Sequence, residues 1–173
     1  MQLYVERGFE QTTVAEIAKR AGLTARTFFR YFADKREVLF AGSMDLQANV
    51  VRALEAAPAS ATPMQAVAAA LAAAGSALGQ HPEHSRLRQS VINANPELRE
   101  RELIKLAGMA AALAAGLRRR GVPEPDASLA AETGIVVLRV AFEQWVSDPD
   151  SAELPQIMRE SLDRLKTITT PGS

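Results

Sequence analysis

Apolar residues recur at spacings of three and four along almost the whole chain, and no stretch of useful length alternates with period two. The first spacing lines one face of a helix and the second would mark strands, so the pattern predicts an all-α protein. Val14, Ile17, Ala18 and Ala21 give a short early helix one apolar face. A long helix from Lys35 to Ala57 is expected next, ended by Pro58 and separated by Ala59-Ser60-Ala61-Thr62 from a helix beginning at Pro63. That helix carries Met64, Val67, Leu71, Ala74 and Leu78 on one stripe and closes at Gly79 and Pro82, and a shorter helix covers Glu83 to Asn93. Asn95 is placed to cap a further helix with Pro96 at its first position, whose stripe of Leu103, Leu106, Ala110, Leu113 and Leu117 runs to Arg118-Arg119-Arg120-Gly121. Pro125-Asp126 opens a helix that is apolar nearly all round from Ile135 to Val146 and must be covered on several sides. The last helix, Leu154 to Ile168, is striped by Leu154, Ile157, Met158, Ser161, Leu162 and Leu165, and Thr169 to Ser173 is expected to be a frayed tail.

Composition sharpens this picture. Tyr4, Phe9, Phe28, Phe29, Tyr31, Phe32 and Phe40 crowd the N-terminal end, and Phe142 and Trp145 are the only later aromatics. Two cores of different construction follow: a small one built on large rings and a longer bundle packed from alanine, leucine and valine. With 173 residues the chain can bury a real core; without cysteine, disulfides, thiolate metal sites and cysteine nucleophiles are excluded. A reducing, cytoplasmic setting is the expectation, because the start MQLYVERGFE lacks a secretory pattern and no apolar run reaches membrane-spanning length.

Formal charge is zero, from 20 Lys+Arg against 20 Asp+Glu, so any basic signal must be local. It is: Lys19, Arg20, Arg26, Arg30, Lys35 and Arg36 face a single acid, Asp34, in the segment they span. The same segment holds two closely spaced helices. Thr13 and Glu16 form a capping box, Gly22 supplies the left-handed turn that stops the first helix, and Thr24 caps the second, anchored by Phe28 and Phe32. This is the helix-turn-helix pattern. Such a pair also occurs in proteins that never touch DNA, but a basic second helix suits the major groove, where arginine reads guanine through two hydrogen bonds.

Gly8-Phe9, Thr12-Thr13-Val14, Ile17-Ala18, Ala21-Gly22, Thr27-Phe28-Phe29-Arg30-Tyr31-Phe32, Asp34-Lys35 and Leu39 together resemble the DNA-binding domain of TetR-family transcriptional regulators. The resemblance implies a helix-turn-helix DNA-binding domain over residues 1–41 and a helical ligand-binding and dimerisation domain over 42–173. It implies that Thr24, Ala25, Arg26 and Thr27 meet base edges or nearby phosphates, and that Thr13, Phe29, Tyr31 and Lys35 hold the DNA backbone, with Arg30 serving either role. Phe29 stands where a tyrosine is common and offers only apolar contact. The two C-terminal helices would form a four-helix bundle with those of a second subunit. The expected function is a homodimeric, ligand-responsive repressor that binds an inverted-repeat operator in double-stranded DNA and is released by a small apolar effector. One departure stands out: Leu3 to Phe9 resembles only the end of the family's first helix, which would then be largely missing and would leave Ile17, Phe28 and Phe32 exposed. The alternative is therefore a dimeric helical ligand-binding or interaction protein that no longer binds DNA.

The effector cavity is expected among the helices beginning near Met64, Glu97 and Asp126, lined by Leu106, Met109, Ala110, Leu113, Leu138, Phe142 and Trp145. Phe142 and Trp145 are either core and dimer contacts or a cavity wall, and Arg139 and Glu143 either an ion pair or polar anchors for a ligand. Arg118 to Arg120 read as last-turn cations favoured by the helix dipole rather than an anion site. His81 and His84 straddle Pro82 without an evident third ligand, so neither metal nor cofactor is expected. No nucleophile motif or phosphate-binding glycine loop points to an enzyme.

Overall fold

The computed structural model describes residues 1–170. Among them the regular elements are α1 (Gln2–Arg7), α2 (Val14–Arg20), α3 (Ala25–Tyr31), a 3-10 turn (Lys35–Phe40), α4 (Ser43–Glu55), α5 (Pro63–Leu78), α6 (Pro82–Ala94), α7 (Pro96–Arg119), α8 (Asp126–Ser147) and α9 (Leu154–Thr169). The fold is all-α, as the periodicity predicts. No helix of the described residues is long and apolar enough to cross a membrane.

The expected continuous helix from Lys35 to Ala57 is instead two elements. Asp34 accepts from the backbone N–H of Arg36 at 2.8 Å and starts the tight 3-10 turn. Gly42 then adopts φ 82°, a left-handed conformation that glycine takes without steric cost, and α4 begins after it. Asn95 stands at the N-cap of α7 with Pro96 at its first position, as expected, but its side chain does not make the cap bond. Its amide instead donates to the Val91 carbonyl at 2.6 Å, serving the end of α6.

Two cores form. The larger joins α4, α5, α7, α8 and α9 through Leu54, Val67, Leu71, Leu113, Leu117, Ala131, Ala141, Leu154 and Met158, all fully buried. Alanines at 66, 70 and 74 of α5 and at 127 and 131 of α8 let these backbones approach closely. Leu103, expected on the buried stripe of α7, faces outward, and Met109 takes a core position. Helix α8 is covered on its inner side, while Leu129, Val136 and Val140 remain exposed on its outer face. On α9, Leu154, Ile157, Met158 and Leu162 are buried, and that helix packs on α5 and α8.

The smaller core is aromatic but does not close within the first 41 residues: Tyr4, Phe9, Leu39 and Phe40 pack with Val91 and Ile92 of α6 and Leu98 of α7. Expected exposure of Ile17, Phe28 and Phe32 is not found, since Phe28 is 2% exposed and the other two are half-buried. The short α1 contributes because Leu3 and Tyr4 turn inward, Tyr4 donates its hydroxyl to the Lys35 carbonyl at 2.5 Å, and Arg20 holds Glu6 at 2.8 Å. At the C-terminus, Thr169 ends α9 instead of beginning a tail, and 171–173 lie outside the described residues.

Candidate nucleic-acid interface

Helix α2 starts with a reciprocal cap: Thr13 Oγ accepts from the Glu16 N–H at 3.3 Å, and Glu16 accepts from the Thr13 N–H at 2.9 Å. Its end is a tight turn in which Gly22 has φ 68° and the Leu23 N–H reaches the Ala18 carbonyl at 2.8 Å. Helix α3 follows at once. Thr24 Oγ accepts from the Thr27 N–H at 3.1 Å and shares a hydrogen bond with the Thr27 hydroxyl at 3.0 Å. Phe28 turns inward against Phe32, their ring centroids 5.2 Å apart. The inward register of Phe28 leaves Thr24, Ala25, Arg26, Phe29, Arg30 and Tyr31 exposed, with Thr27 half-buried.

Phe29 is 57% exposed and Tyr31 64%, a large cost in apolar contact for a surface that meets only water. Arg30 donates to the Tyr31 hydroxyl at 2.7 Å, and its guanidinium lies 4.8 Å from that ring, so the two side chains hold one another on the surface.

The six clustered cations do not all remain available. Arg20 is tied to Glu6, and Arg36 to Asp34 at 2.5 Å and Glu97 at 3.9 Å. Lys35, expected on the DNA backbone, folds inward: its ammonium donates to the carbonyls of Phe9 at 2.8 Å and Glu10 at 3.1 Å and sits over the Phe9 ring. Among the described residues Lys19, Arg26 and Arg30 have no carboxylate partner. Within this segment the unpaired positive charge thus lies on α3 and the end of α2.

A second set of polar contacts ties this unit to the C-terminal helices. Glu37 of the 3-10 turn accepts from Arg101 at 2.6 Å and Lys105 at 3.0 Å, both on α7. Burial pushes its carboxyl up, but the bonds and charges of Lys105 and Arg101 outweigh this and hold it below the ordinary value. From α6, Arg88 donates to the Leu39 carbonyl at 2.6 Å, stacks over Phe40, and stands 3.6 Å from Glu102. Desolvation lowers the Arg88 pKa. None of Glu37, Arg88, Arg101, Glu102 or Lys105 stood out in the sequence, because charges on polar helix faces carry no motif.

The residues expected to line an effector cavity come together, but as packing. Met109, Ala110, Leu113, Leu138 and Trp145 are buried in the larger core, with Leu106 and Phe142 half-buried against it. A surface groove of about 580 Å³ runs instead between α4 and α7, bounded by Met44, Val51, Arg52 and Arg119. One of about 240 Å³ lies between α7 and α8 and includes Ala110. Arg139 and Glu143 form an exposed pair at 3.5 Å, so the polar-anchor alternative is not what the structure holds. Arg120 reaches across to the segment just after α4, donating to the carbonyls of Ala57 at 2.8 Å and Pro58 at 2.7 Å. Arg119 pairs with Glu55 and Arg118 with Glu124. These arginines fasten helix ends together, which is more than the dipole role read from sequence. His81 and His84 are both exposed.

A capped helix-turn-helix with an exposed basic second helix, carried on a larger helical bundle, defines a DNA-binding transcriptional regulator. Residues 1–41 match the model of the bacterial regulatory proteins of the tetR family, and residues 61–170 match that of the MftR C-terminal domain. The chain belongs to the TetR family, whose members are regulators and not enzymes. It is 28% identical over 166 residues to the putative mycofactocin biosynthesis transcriptional regulator MftR of Mycobacterium tuberculosis, covering 94% of this chain and 83% of that protein. It is 38% identical over 73 residues to the HTH-type transcriptional regulator TcmR of Streptomyces glaucescens, a match spanning 42% of this chain and 32% of that protein. Among solved structures, the TetR-family repressor FadR of Thermus thermophilus in complex with lauroyl-CoA is similar with a TM-score of 0.61 at 23% identity, covering 100% of this chain and 92% of that one. The TetR-family regulator PfmR of the same organism has a TM-score of 0.54 at 24% identity, covering 94% of this chain and 91% of that one.

Proposed function

We propose that the chain is a cytoplasmic, homodimeric repressor that binds an inverted-repeat operator through residues 1–41 and is released when a small apolar effector binds within residues 42–173. The observation that carries the DNA-binding part is the concentration of unpaired cations and exposed rings on α3 and the end of α2. Thr24, Ala25, Arg26 and Thr27 at the start of α3 meet base edges or nearby phosphates, and an arginine at a base edge forms two hydrogen bonds to guanine. Thr13, Phe29 and Tyr31 lie against the sugar-phosphate backbone, and Arg30 serves base or phosphate. Lys35 acts there only by holding the unit together.

Dimerisation uses the outer face of α8 with α9, where exposed apolar side chains call for a two-fold partner. The effector part is supported by the lauroyl-CoA held by a structural neighbour, and it requires Leu106, Met109, Ala110, Leu113, Leu138, Phe142 and Trp145, which are packed together in this structure, to part around the ligand. An effector wedged among these residues favours a conformation whose recognition helices fit DNA poorly, since a ligand shifts an equilibrium only by its differential affinity.

The test is fluorescence anisotropy on DNA from upstream of the chain's own reading frame against random DNA of equal length. Arg26→Ala is expected to cost about 1–3 kcal/mol on the specific fragment and to relax base preference at one position of each half-site. Equal loss on both DNAs would remove its base-reading role.

A further inference from the structure

The 3-10 turn Lys35–Phe40 follows closely on the end of α3 at Tyr31. Tyr4 donates to the Lys35 carbonyl at 2.5 Å, and the Lys35 ammonium to the Phe9 carbonyl at 2.8 Å. These bonds tie the turn to the unit that carries α3, so a rotation of the turn carries α3 with it. The chain leaves the turn for α4 through Gly42 at φ 82°, a residue without a Cβ, and so supplies a pivot rather than a strut.

What holds that pivot is a line of polar contacts on the bundle. Glu97, Arg101 and Lys105 stand four residues apart on one stripe of α7, spanning about 12 Å of helix. Arg36 approaches Glu97 at 3.9 Å, and Glu37 accepts from Arg101 at 2.6 Å and from Lys105 at 3.0 Å. From α6, Arg88 donates to the Leu39 carbonyl at 2.6 Å and is backed at 3.6 Å by Glu102, whose carboxylate also accepts from Gln89 Nε2 at 3.1 Å. The apolar contact of Leu39 and Phe40 with Val91, Ile92 and Leu98 is non-directional and resists separation more than rotation. Charge-assisted hydrogen bonds are directional, and set out along a helix they resist rotation of the DNA-reading unit on the bundle. In a dimer on an inverted repeat, that rotation sets the separation and angle of the two recognition helices, and the half-site spacing follows from it.

We propose that Glu37, held by Arg101 and Lys105, fixes the half-site spacing of the operator without touching DNA. These are positioning residues: α3 reads base sequence, and the joint decides how far apart two copies of that sequence must stand. One added base pair moves the second half-site by about 3.4 Å and rotates it by about a tenth of a turn, which a locked unit cannot follow. The assignment rests on the reading of the chain as a dimer on an inverted repeat.

The test is in vitro selection by the full chain from duplexes carrying about three helical turns of random sequence. The unaltered chain is expected to recover one half-site sequence as an inverted repeat at a single spacing. Glu37→Gln, and separately Arg101→Gln with Lys105→Gln, each checked for folding by circular dichroism, should recover the same half-site sequence at several spacings. Fluorescence anisotropy then compares the selected duplex with one carrying an extra central base pair. The unaltered chain should lose at least about tenfold in affinity and the variants less than about threefold. A purely structural role of Glu37 would weaken binding to both duplexes alike and leave that ratio unchanged. Several spacings from the unaltered chain, or one unchanged spacing from either folded variant, overturns the proposal while the inverted repeat itself sustains the DNA-binding reading. Recovery of no inverted repeat by the unaltered chain overturns that reading and the proposal with it.

Discussion

Glu37 Oε1 accepts from Arg101 Nε at 2.6 Å across 64 residues of chain, fastening the 3-10 turn beside the DNA-reading helices to α7 of the bundle. Lys105 occupies the other carboxylate oxygen at 3.0 Å. The covalent path between the two regions passes through α4, but this pair of ion pairs and the shared aromatic core form a second, non-covalent path.

The Glu37 pairing makes stability pH-dependent with a definite sign. Its folded pKa is depressed below the ordinary 4.5, so its contribution is present above that value and is lost as pH falls through the folded pKa. Thermal melting followed from about pH 6 down to about pH 3 should show a steeper loss in the unaltered chain than in Glu37→Gln. At neutral pH Glu37→Gln should cost about 1–3 kcal/mol, between the values for exposed and buried pairs. Parallel acid-melting curves would show that the carboxylate contributes nothing to the joint.

Lys35 is a fastener, and its replacement should behave as one. Lys35→Met removes two hydrogen bonds to the Phe9 and Glu10 carbonyls and a cation over the Phe9 ring, lowering stability by about 1–2 kcal/mol. Because its ammonium is turned inward, the slope of log K against log salt for DNA binding should stay unchanged. Arg30→Ala should flatten that slope by about one phosphate contact. A flattened slope for Lys35→Met, with stability intact, would return Lys35 to the DNA backbone.

The difference between what was legible and what was not follows from where the information sits. Thr13, Glu16, Gly22 and Thr24 specify α2 and α3 through short-range caps and a turn, so their positions and the outward register of Arg26 and Arg30 could be read from spacing. The break at Gly42 was written locally too, but the helical spacing on either side outweighed a single glycine. The inward fold of Lys35 and the pairing of Glu37 with α7 depend on tertiary proximity, which no local pattern encodes. Gln89 was hidden for the same reason: an ordinary helix-surface residue type became buried only when α6 met α7.

Association should be controlled by the outer face of α8. Leu129, Val136 and Val140 are exposed there beside the Arg139–Glu143 pair. Val136→Glu should yield monomers in analytical ultracentrifugation with an unchanged helical spectrum, because a carboxylate would be buried without a partner only in the dimer. Leu162 on α9 is a poor probe, since at 8% exposure it already belongs to the protomer core and a charge there would unfold the chain. A Val136→Glu dimer of undiminished affinity would place the interface elsewhere.

Helix glycines give a graded test of how closely α8 meets its neighbours. A Cβ at Gly134 would fall 2.6 Å from Val67 Cγ1, and Val67 is fully buried with a branched side chain that has one favoured helical rotamer. Neither atom can retreat, so Gly134→Ala should lose about 1–3 kcal/mol through overpacking despite a gain of about 1 kcal/mol in helix propensity. At Gly116 the nearest atom is Leu54 Cδ2 at 3.0 Å, the far end of a more adaptable side chain, and the two effects should nearly cancel. At Gly108 nothing lies nearer than Gln47 Oε1 at 4.0 Å, so Gly108→Ala should stabilise by up to about 1 kcal/mol. Urea unfolding of the three variants should therefore rank Gly108→Ala above Gly116→Ala above Gly134→Ala. If Gly134→Ala matched Gly108→Ala, α5 and α8 would be further apart than their small residues allow, and the packing of the larger core would need to be redrawn.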